Sequence, residues 1–155
     1  MRLVVAVVGK AKNQSLGDAI RDYETRAARY WPLEVHEVRE ERGTPGSPSE
    51  RVREREGARL AEKIPGSART VACEPGGKSL DSHQFAELLR NARDQDRDLA
   101  FLIGGAHGLS AGLAGSSQMR MSLAPWTLPH ELARLVLAEQ IYRAGTIVRG
   151  EPYHK

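Results

Sequence analysis

The chain has 155 residues, 40% of them hydrophobic and 28% charged, which is enough to bury one core without cross-links and predicts a single domain over 1–155. No apolar run approaches the roughly 20 residues of a membrane span, and the lone cysteine, Cys73, excludes an internal disulfide and makes a reducing cytoplasm the expected setting. The net charge of +3 permits a nucleic-acid partner without requiring one.

The N-terminal part of the chain predicts two strand–helix units. Residues 2–8 (RLVVAVV) form a continuous apolar run, as in a strand covered on both faces. A helix that ends at Pro32 follows, and the alternating LEVHEV predicts a second strand. Residues 41–50 have the composition of a loop, and a highly charged helix from Ser49 to Lys63 is either a solvated face or a mobile flap.

The second half continues the alternation. ARTVAC predicts the third strand, LAFLIGG the fourth and MRMSLA the fifth. Asp81 and Gln84 form a capping-box pattern that opens a helix after the third strand. The last helix begins near Pro129, and Glu139 and Arg143 are spaced for an i,i+4 ion pair. This order predicts an α/β fold, a mostly parallel sheet flanked by helices.

Three strand ends are candidates for a ligand site. Cys73 leads into EPGGKS, Ile103 into GGAHG, and Leu123 into APWTLP. In open α/β sheets, ligands bind beyond the carboxyl ends of the strands. Glycines allow the backbone to approach a ligand closely, and irregular loops leave amides and carbonyls free to pair with it. We therefore expect these three segments to meet at one pocket.

The most specific pattern lies in the last third of the chain. IGGAHG follows an apolar strand, TLPH opens the last helix, and EQIYRAGTIVRGEPYHK ends the sequence. With the opening strand and the length, these motifs resemble the RlmH family, small SPOUT-class methyltransferases that modify a pseudouridine of bacterial large-subunit rRNA. The resemblance implies a SPOUT-type fold with a C-terminal trefoil knot, in which the last helix passes through an earlier loop.

The resemblance also implies an activity. It is S-adenosyl-L-methionine-dependent methylation of N3 of a pseudouridine in the helix 69 loop of 23S rRNA, on the assembled ribosome. The partners are the 23S rRNA and a second copy of the chain, so that one subunit of a homodimer holds the cofactor while the tail of the other completes the site. No metal is expected, because no pair of histidines has ligand spacing.

The family's functional positions map onto named residues of this sequence. Arg143, Tyr153 and His154 are the catalytic candidates, and which of them takes the N3 proton stays open, although His154 suits a base by residue type. Arg143 or Arg149 holds phosphate or a developing oxyanion. The cofactor-binding candidates are Cys73, Gly104, Leu123, Ala124, Pro125, Trp126, Thr127 and Leu128.

Four residues in or near these segments carry more specific expectations. Pro125 offers no N–H, and Trp126 either packs against the adenine or fills the core. His130 is expected to cap its helix or contact substrate, and His107 is expected to face solvent.

Two other functions compete with this interpretation. Residues 72–79 fit a relaxed phosphate loop in which Lys78 meets phosphates and Ser79 a magnesium ion. Against it, Ala72 replaces the first glycine, Glu74 would repel phosphate, and Pro75 removes an amide. The other alternative is a non-catalytic ribosome-binding module with a vestigial cofactor pocket, which only cofactor binding and turnover distinguish from the enzyme.

Overall fold

The computed structural model describes residues 1–43 and 46–154, with the backbone alone at His154. Strands and helices alternate along these residues. The strands are β1 (Leu3–Val8), β2 (Leu33–Val38), β3 (Arg69–Ser79), β4 (Leu99–Ile103) and β5 (Met119–Ser122). The helices are α1 (Gln14–Ala27), α2 (Ser49–Ala61), α3 (Ser82–Asp94), α4 (Ala111–Ser116) and α5 (His130–Val148), and a 3₁₀ turn (Pro152–His154) follows α5.

The strands form one sheet in the order β2-β1-β4-β3-β5, and every pairing in it is parallel. Every residue of β1 and β4 is buried, which is why these strands are continuous apolar runs in the sequence. Helices cover both faces: α3 and α5 pack on the larger core, and Leu60 of α2 lies in a smaller cluster with Val8 and Leu102. The predicted α/β class is confirmed.

Helix α5 is held by contacts from α1 and the residues after it. The indole Nε1 of Trp31 donates to the carbonyl of Ile141 over 3.0 Å. A Cβ atom at Gly145 would lie 2.4 Å from the ring of Tyr30, so only glycine permits this close approach. The buried guanidinium of Arg134 bridges Glu24 of α1 (2.7 Å) and Glu37 of β2 (2.6 Å). These contacts fix where α5 begins and where the tail emerges.

Several predicted boundaries are confirmed. Asp81 and Gln84 form the capping box of α3, each side chain bonded to the other's backbone N–H. Helix α2 starts at Ser49 as predicted and ends at Ala61, two residues before the predicted end. Residues 41–43 and 46–48 lie outside helices and strands, as expected of the predicted loop, whose Thr44 and Pro45 are outside the described residues.

The prediction that β3 ends at Cys73 is wrong. The strand continues to Ser79, with a register shift between Cys73 and Lys78, and pairs Lys78 with Met121. A Cβ atom at Gly77 would lie 2.5 Å from the backbone of Met121, so glycine is needed where the two chains approach. Lys78 and Ser79 are extended and paired with β5, and α3 begins only at Ser82, so they do not open a helix as the lysine and serine of a phosphate loop do. The nucleotide-hydrolase alternative therefore has no structural support.

Candidate active site

A cavity of about 620 Å³ opens where β4 and β5 end and β3 bulges, next to the start of α5. The three segments predicted to meet do so here. The wall is mostly apolar side chains and loop backbone, as in small-molecule sites of this size. The lining residues are Cys73, Glu74, Pro75, Ile103, Gly104, Gly105, Ala106, His107, Gly108, Leu109, Leu123, Ala124, Trp126, Thr127, Leu128, Pro129, His130 and Ala133. Of the predicted cofactor residues, all but Pro125 are among them.

The glycine loop after β4 forms one side of the cavity. Gly105 and Gly108 pair through an isolated bridge, and Gly108 has a φ of +81°, which an L side chain disfavours. A Cβ atom at Gly104 would lie 2.4 Å from the backbone of Gly108. The glycines thus close a tight turn and at the same time leave the backbone bare on the cavity side. His107, at the tip of this turn, is exposed as predicted and also lines the cavity.

Cys73 contributes to the wall as a neutral thiol. Burial raises the pKa of the Cys73 thiol to about 12, against a smaller opposing effect of a hydrogen bond with the Leu102 backbone. A thiol with so high a pKa is not a nucleophile at neutral pH and behaves as a small apolar group.

The loop after β5 forms the opposite side. Ser122 Oγ donates to the carbonyl of Ala124 over 2.6 Å and so fixes the start of the loop. Pro125 is exposed and outside the lining. Trp126 lines the cavity but is 76% exposed, so the alternative in which it fills the core is wrong. Its indole instead stands at the mouth, in reach of a ligand.

The tail residues form a second cluster, centred on Glu139. Glu139 Oε1 accepts from Arg143 Nε (3.0 Å) and Nη2 (2.6 Å), and also from the hydroxyl of Tyr153 over 3.1 Å. The Arg143 guanidinium lies 4.9 Å from the centre of the Tyr153 ring. The Tyr153 ring meets Tyr142 edge to face with 4.6 Å between centroids. The side chain of His154 lies outside the described part of the structure.

The cluster fixes the protonation state of Tyr153. Desolvation raises the pKa of Tyr153 well above its ordinary value, and its hydrogen bonds to Tyr23 and Glu139 raise it further. Tyr153 is therefore a neutral phenol at neutral pH, suited to orienting a base and not to accepting a proton. Arg149, the alternative to Arg143, lies 4.5 Å from the centre of the Tyr30 ring and donates to the carbonyl of Arg29.

The cavity and the tail cluster lie apart within one chain. His130 lines the cavity at the first turn of α5, while Arg143 is thirteen residues further along the same helix, about 20 Å away at 1.5 Å per residue. Neither Arg143 nor Tyr153 lines the cavity. The structure thus brings the predicted cofactor residues together and keeps the predicted catalytic ones at a distance.

Two residues emerge that the sequence did not single out for a role in the site. Glu139 was expected only to stabilise its helix through Arg143, yet it also holds Tyr153. Glu40, just after β2, lies 3.9 Å from His130 at the edge of the cavity. The i,i+4 spacing was a partial signal for Glu139, whereas no local pattern links Glu40 to a histidine 90 positions away.

Among the described residues, no group of three or more histidine, cysteine, aspartate or glutamate side chains is arranged to hold a metal ion. In the same part of the chain, no helix combines the length and apolarity needed to cross a membrane.

Comparison with known proteins places the sequence among methyltransferases. A family model described as a predicted SPOUT methyltransferase matches residues 1–154. Ribosomal RNA large subunit methyltransferase H of Gemmatimonas aurantiaca is 57% identical over 155 residues, covering all of both chains. The proteins of that name from Anaeromyxobacter dehalogenans and Syntrophotalea carbinolica are 41% and 39% identical, with at least 99% of each chain covered.

A solved structure shares the fold. It is a probable methylase family protein from Haemophilus influenzae, with a TM-score of 0.58 and 14% identity, and the match covers 99% of this chain and 70% of that one. The likeness at this identity concerns the fold alone.

Proposed function

Because the chain belongs to the RlmH family of SPOUT methyltransferases, we propose that it methylates N3 of a pseudouridine in the helix 69 loop of bacterial 23S rRNA. The methyl donor is S-adenosylmethionine, and the substrate is the assembled ribosome in the cytoplasm. The observation that carries the proposal is similarity over the full length to ribosomal RNA large subunit methyltransferases. The three strand-end segments predicted to hold the cofactor also line one cavity.

The cavity suits the methyl donor. A volume of about 620 Å³ with a mostly apolar wall accommodates an adenosyl group and a short amino-acid chain. When bound, S-adenosylmethionine supplies an electrophilic methyl group on a sulfonium. Backbone groups of Gly104, of 123–124 and of 126–128 would pair with the adenine and ribose, Cys73 would provide an apolar contact, and Trp126 would cover the mouth. The trefoil knot implied by the resemblance would bring these loops together.

The chain's own residues mainly position the target. Holding a nucleophile in line lowers the activation barrier by about 7–11 kcal/mol, more than a single proton transfer does. Arg143, a permanent cation with a planar guanidinium, binds a phosphate or a carbonyl oxygen of the target. The Tyr153 ring stacks on or orients the base. Glu139 holds both side chains in place.

The active site is composite and needs two copies of the chain. With Arg143 about 20 Å along α5 from the cavity, one subunit cannot present both to the same base. In a homodimer with two-fold symmetry, the tail of each subunit serves the cavity of the other. The larger combined surface of a dimer would also offer more contact area to folded rRNA.

The test is methyl transfer to defined ribosomal particles. The purified protein is incubated with labelled S-adenosylmethionine and either 70S ribosomes or isolated 50S subunits from a strain lacking the activity, and the methyl group is located by mass mapping of the rRNA. One methylated pseudouridine in helix 69, formed on 70S particles, is the expected result. Cofactor binding with no transfer to any particle would favour the non-catalytic ribosome-binding module instead.

A further inference from the structure

His130 is a partly buried side chain at the edge of the cavity, and its Nε2 atom has no hydrogen-bond partner among the described residues. It is the first residue of α5, and it lines the cavity with 19% of its side chain exposed. The Nε2 atom is itself buried. An unpaired buried nitrogen costs about 1–3 kcal/mol, so its retention in a ligand cavity calls for a function.

Glu40 is fixed next to this imidazole by two other segments. Its Oε1 lies 3.9 Å from His130 Nε2, and its Oε2 accepts from Lys12 Nζ over 3.1 Å. The backbone N–H of Lys12 donates to Glu131, the neighbour of His130, over 2.7 Å. Gly9, with a φ of +83°, lies against Glu40 because a Cβ atom there would lie 2.5 Å from its carboxylate. The charged groups around His130 are thus Glu40, Lys12 and Glu131.

We propose that His130 accepts the N3 proton of the target pseudouridine, with Glu40 as its carboxylate partner; the inference rests on the proposed function. A small shift brings Nε2–H onto Glu40, which leaves Nδ1 with a free lone pair for the substrate. As the N3–H bond breaks, N3 bonds to the methyl carbon and the S–CH₃ electron pair stays on sulfur, giving a neutral thioether. The imidazolium next to Glu40 then releases its proton to solvent.

The other groups at the cavity are less suited to the task. Burial raises the pKa of the Cys73 thiol to about 12, so this thiol stays protonated at neutral pH. Glu74 is engaged in an ion pair with Arg120. Tyr153, which a partner subunit would bring, is a protonated phenol whose O–H forms a hydrogen bond to Glu139. His107 also lines the cavity, but it is exposed to solvent at the tip of the glycine turn. His130 has an imidazole in the cavity wall that is only 19% exposed and lies next to a carboxylate.

The experiment compares the single variants His130→Ala, His154→Ala and Glu40→Gln, with His36→Ala of β2 as control. We expect His130→Ala to lower kcat roughly 10²- to 10⁴-fold, the usual contribution of a general base. Added imidazole should restore at least about tenfold of this loss, because it can enter the space left by the ring. Glu40→Gln should lower kcat by about tenfold, and His36→Ala should leave it unchanged.

A readout without turnover separates catalysis from binding and folding. Calorimetry in the absence of RNA should give S-adenosylmethionine affinities within about threefold of wild type for His130→Ala and Glu40→Gln. Loss of cofactor affinity in proportion to activity overturns the inference, because His130 would then be a binding residue. So does rescue by imidazole of His154→Ala but not of His130→Ala. A wild-type protein with no methyl transfer overturns the proposed function, and this inference with it.

Discussion

At the scale of single residues, Glu139 is the link between the fold and the tail. One carboxylate oxygen accepts from both Arg143 and Tyr153, and the other accepts from Gln140, so a single side chain sets two residues expected to meet the substrate. The sequence pattern predicted the ion pair but not the tyrosine, because i,i+4 spacing carries no information about a residue beyond the helix.

The variant Glu139→Gln therefore tests whether Glu139 positions Arg143 and Tyr153 for the substrate. Loss of the charge weakens the ion pair with Arg143 and gives the Tyr153 hydroxyl a weaker acceptor to donate to. We therefore expect kcat/KM on ribosomes to fall by about 10- to 100-fold. Affinity for S-adenosylmethionine, measured without RNA, should not change. Glu87→Gln, which removes an exposed partner of Arg90 in α3, is the matched control and should have wild-type kinetics.

A second residue-scale prediction concerns Glu56 of α2, a buried carboxyl. One oxygen accepts from the backbone N–H of Glu41 over 3.0 Å, and the other has no partner among the described residues. Desolvation raises the pKa of Glu56, against the opposing effect of that hydrogen bond. Because the folded pKa lies above the unfolded one, the associated stability is present in acid and is lost as the pH rises through the folded value.

The free energy of unfolding of Glu56→Gln should therefore increase relative to that of the wild type as the pH rises from about 4 to about 8. Urea unfolding of both proteins at several pH values measures this difference. Glu54→Gln, on the exposed side of the same helix, should show a difference from wild type that does not change with pH. A Glu56→Gln difference that is flat, or that reverses, would contradict the assignment.

At the scale of elements, the regular strands and helix caps follow from local sequence patterns. The irregular segments depend on contacts with parts of the chain that are distant in sequence. Strands β1 and β4 and the capping box of α3 were predictable because burial on both faces and reciprocal capping leave sequence signals. The extension of β3 through Pro75 and Gly77 was not, since both residues disfavour strands and lie in a bulge whose two ends, Cys73 and Lys78, pair with the same residue of β5. Helix α4 was also missed, because AGLAGS is short and rich in glycine.

The packing of α1 against α5 gives a prediction at this scale. Gly145→Ala places a methyl group against the Tyr30 ring, so we expect a loss of about 1–3 kcal/mol in the free energy of unfolding. Gly112→Ala is the control, since no atom lies within 4 Å of a Cβ there and alanine favours a helix. Thermal unfolding should place Gly145→Ala below wild type and Gly112→Ala at or above it; equal melting temperatures would contradict the close contact.

At the scale of the whole molecule, the candidate site divides into two parts. The cofactor residues inferred from family resemblance meet at one cavity, while Arg143 and Tyr153 stand about 20 Å away along α5. Motif order predicted which residues belong to the site but not this separation, because distances across a fold are not encoded in local spacing. The homodimer and the knot stay predictions, and the dimer is the one on which the proposed catalysis depends.

Complementation between two inactive variants tests the composite site most directly. Ala124→Trp fills the cavity, and Arg143→Ala removes the guanidinium from the tail, so each homodimer should be inactive on ribosomes. Subunits mixed in equal amounts form heterodimers in which one site pairs an intact cavity with an intact tail, and about a quarter of wild-type activity should return. Heterodimers purified through two different tags that remain inactive would contradict the composite site.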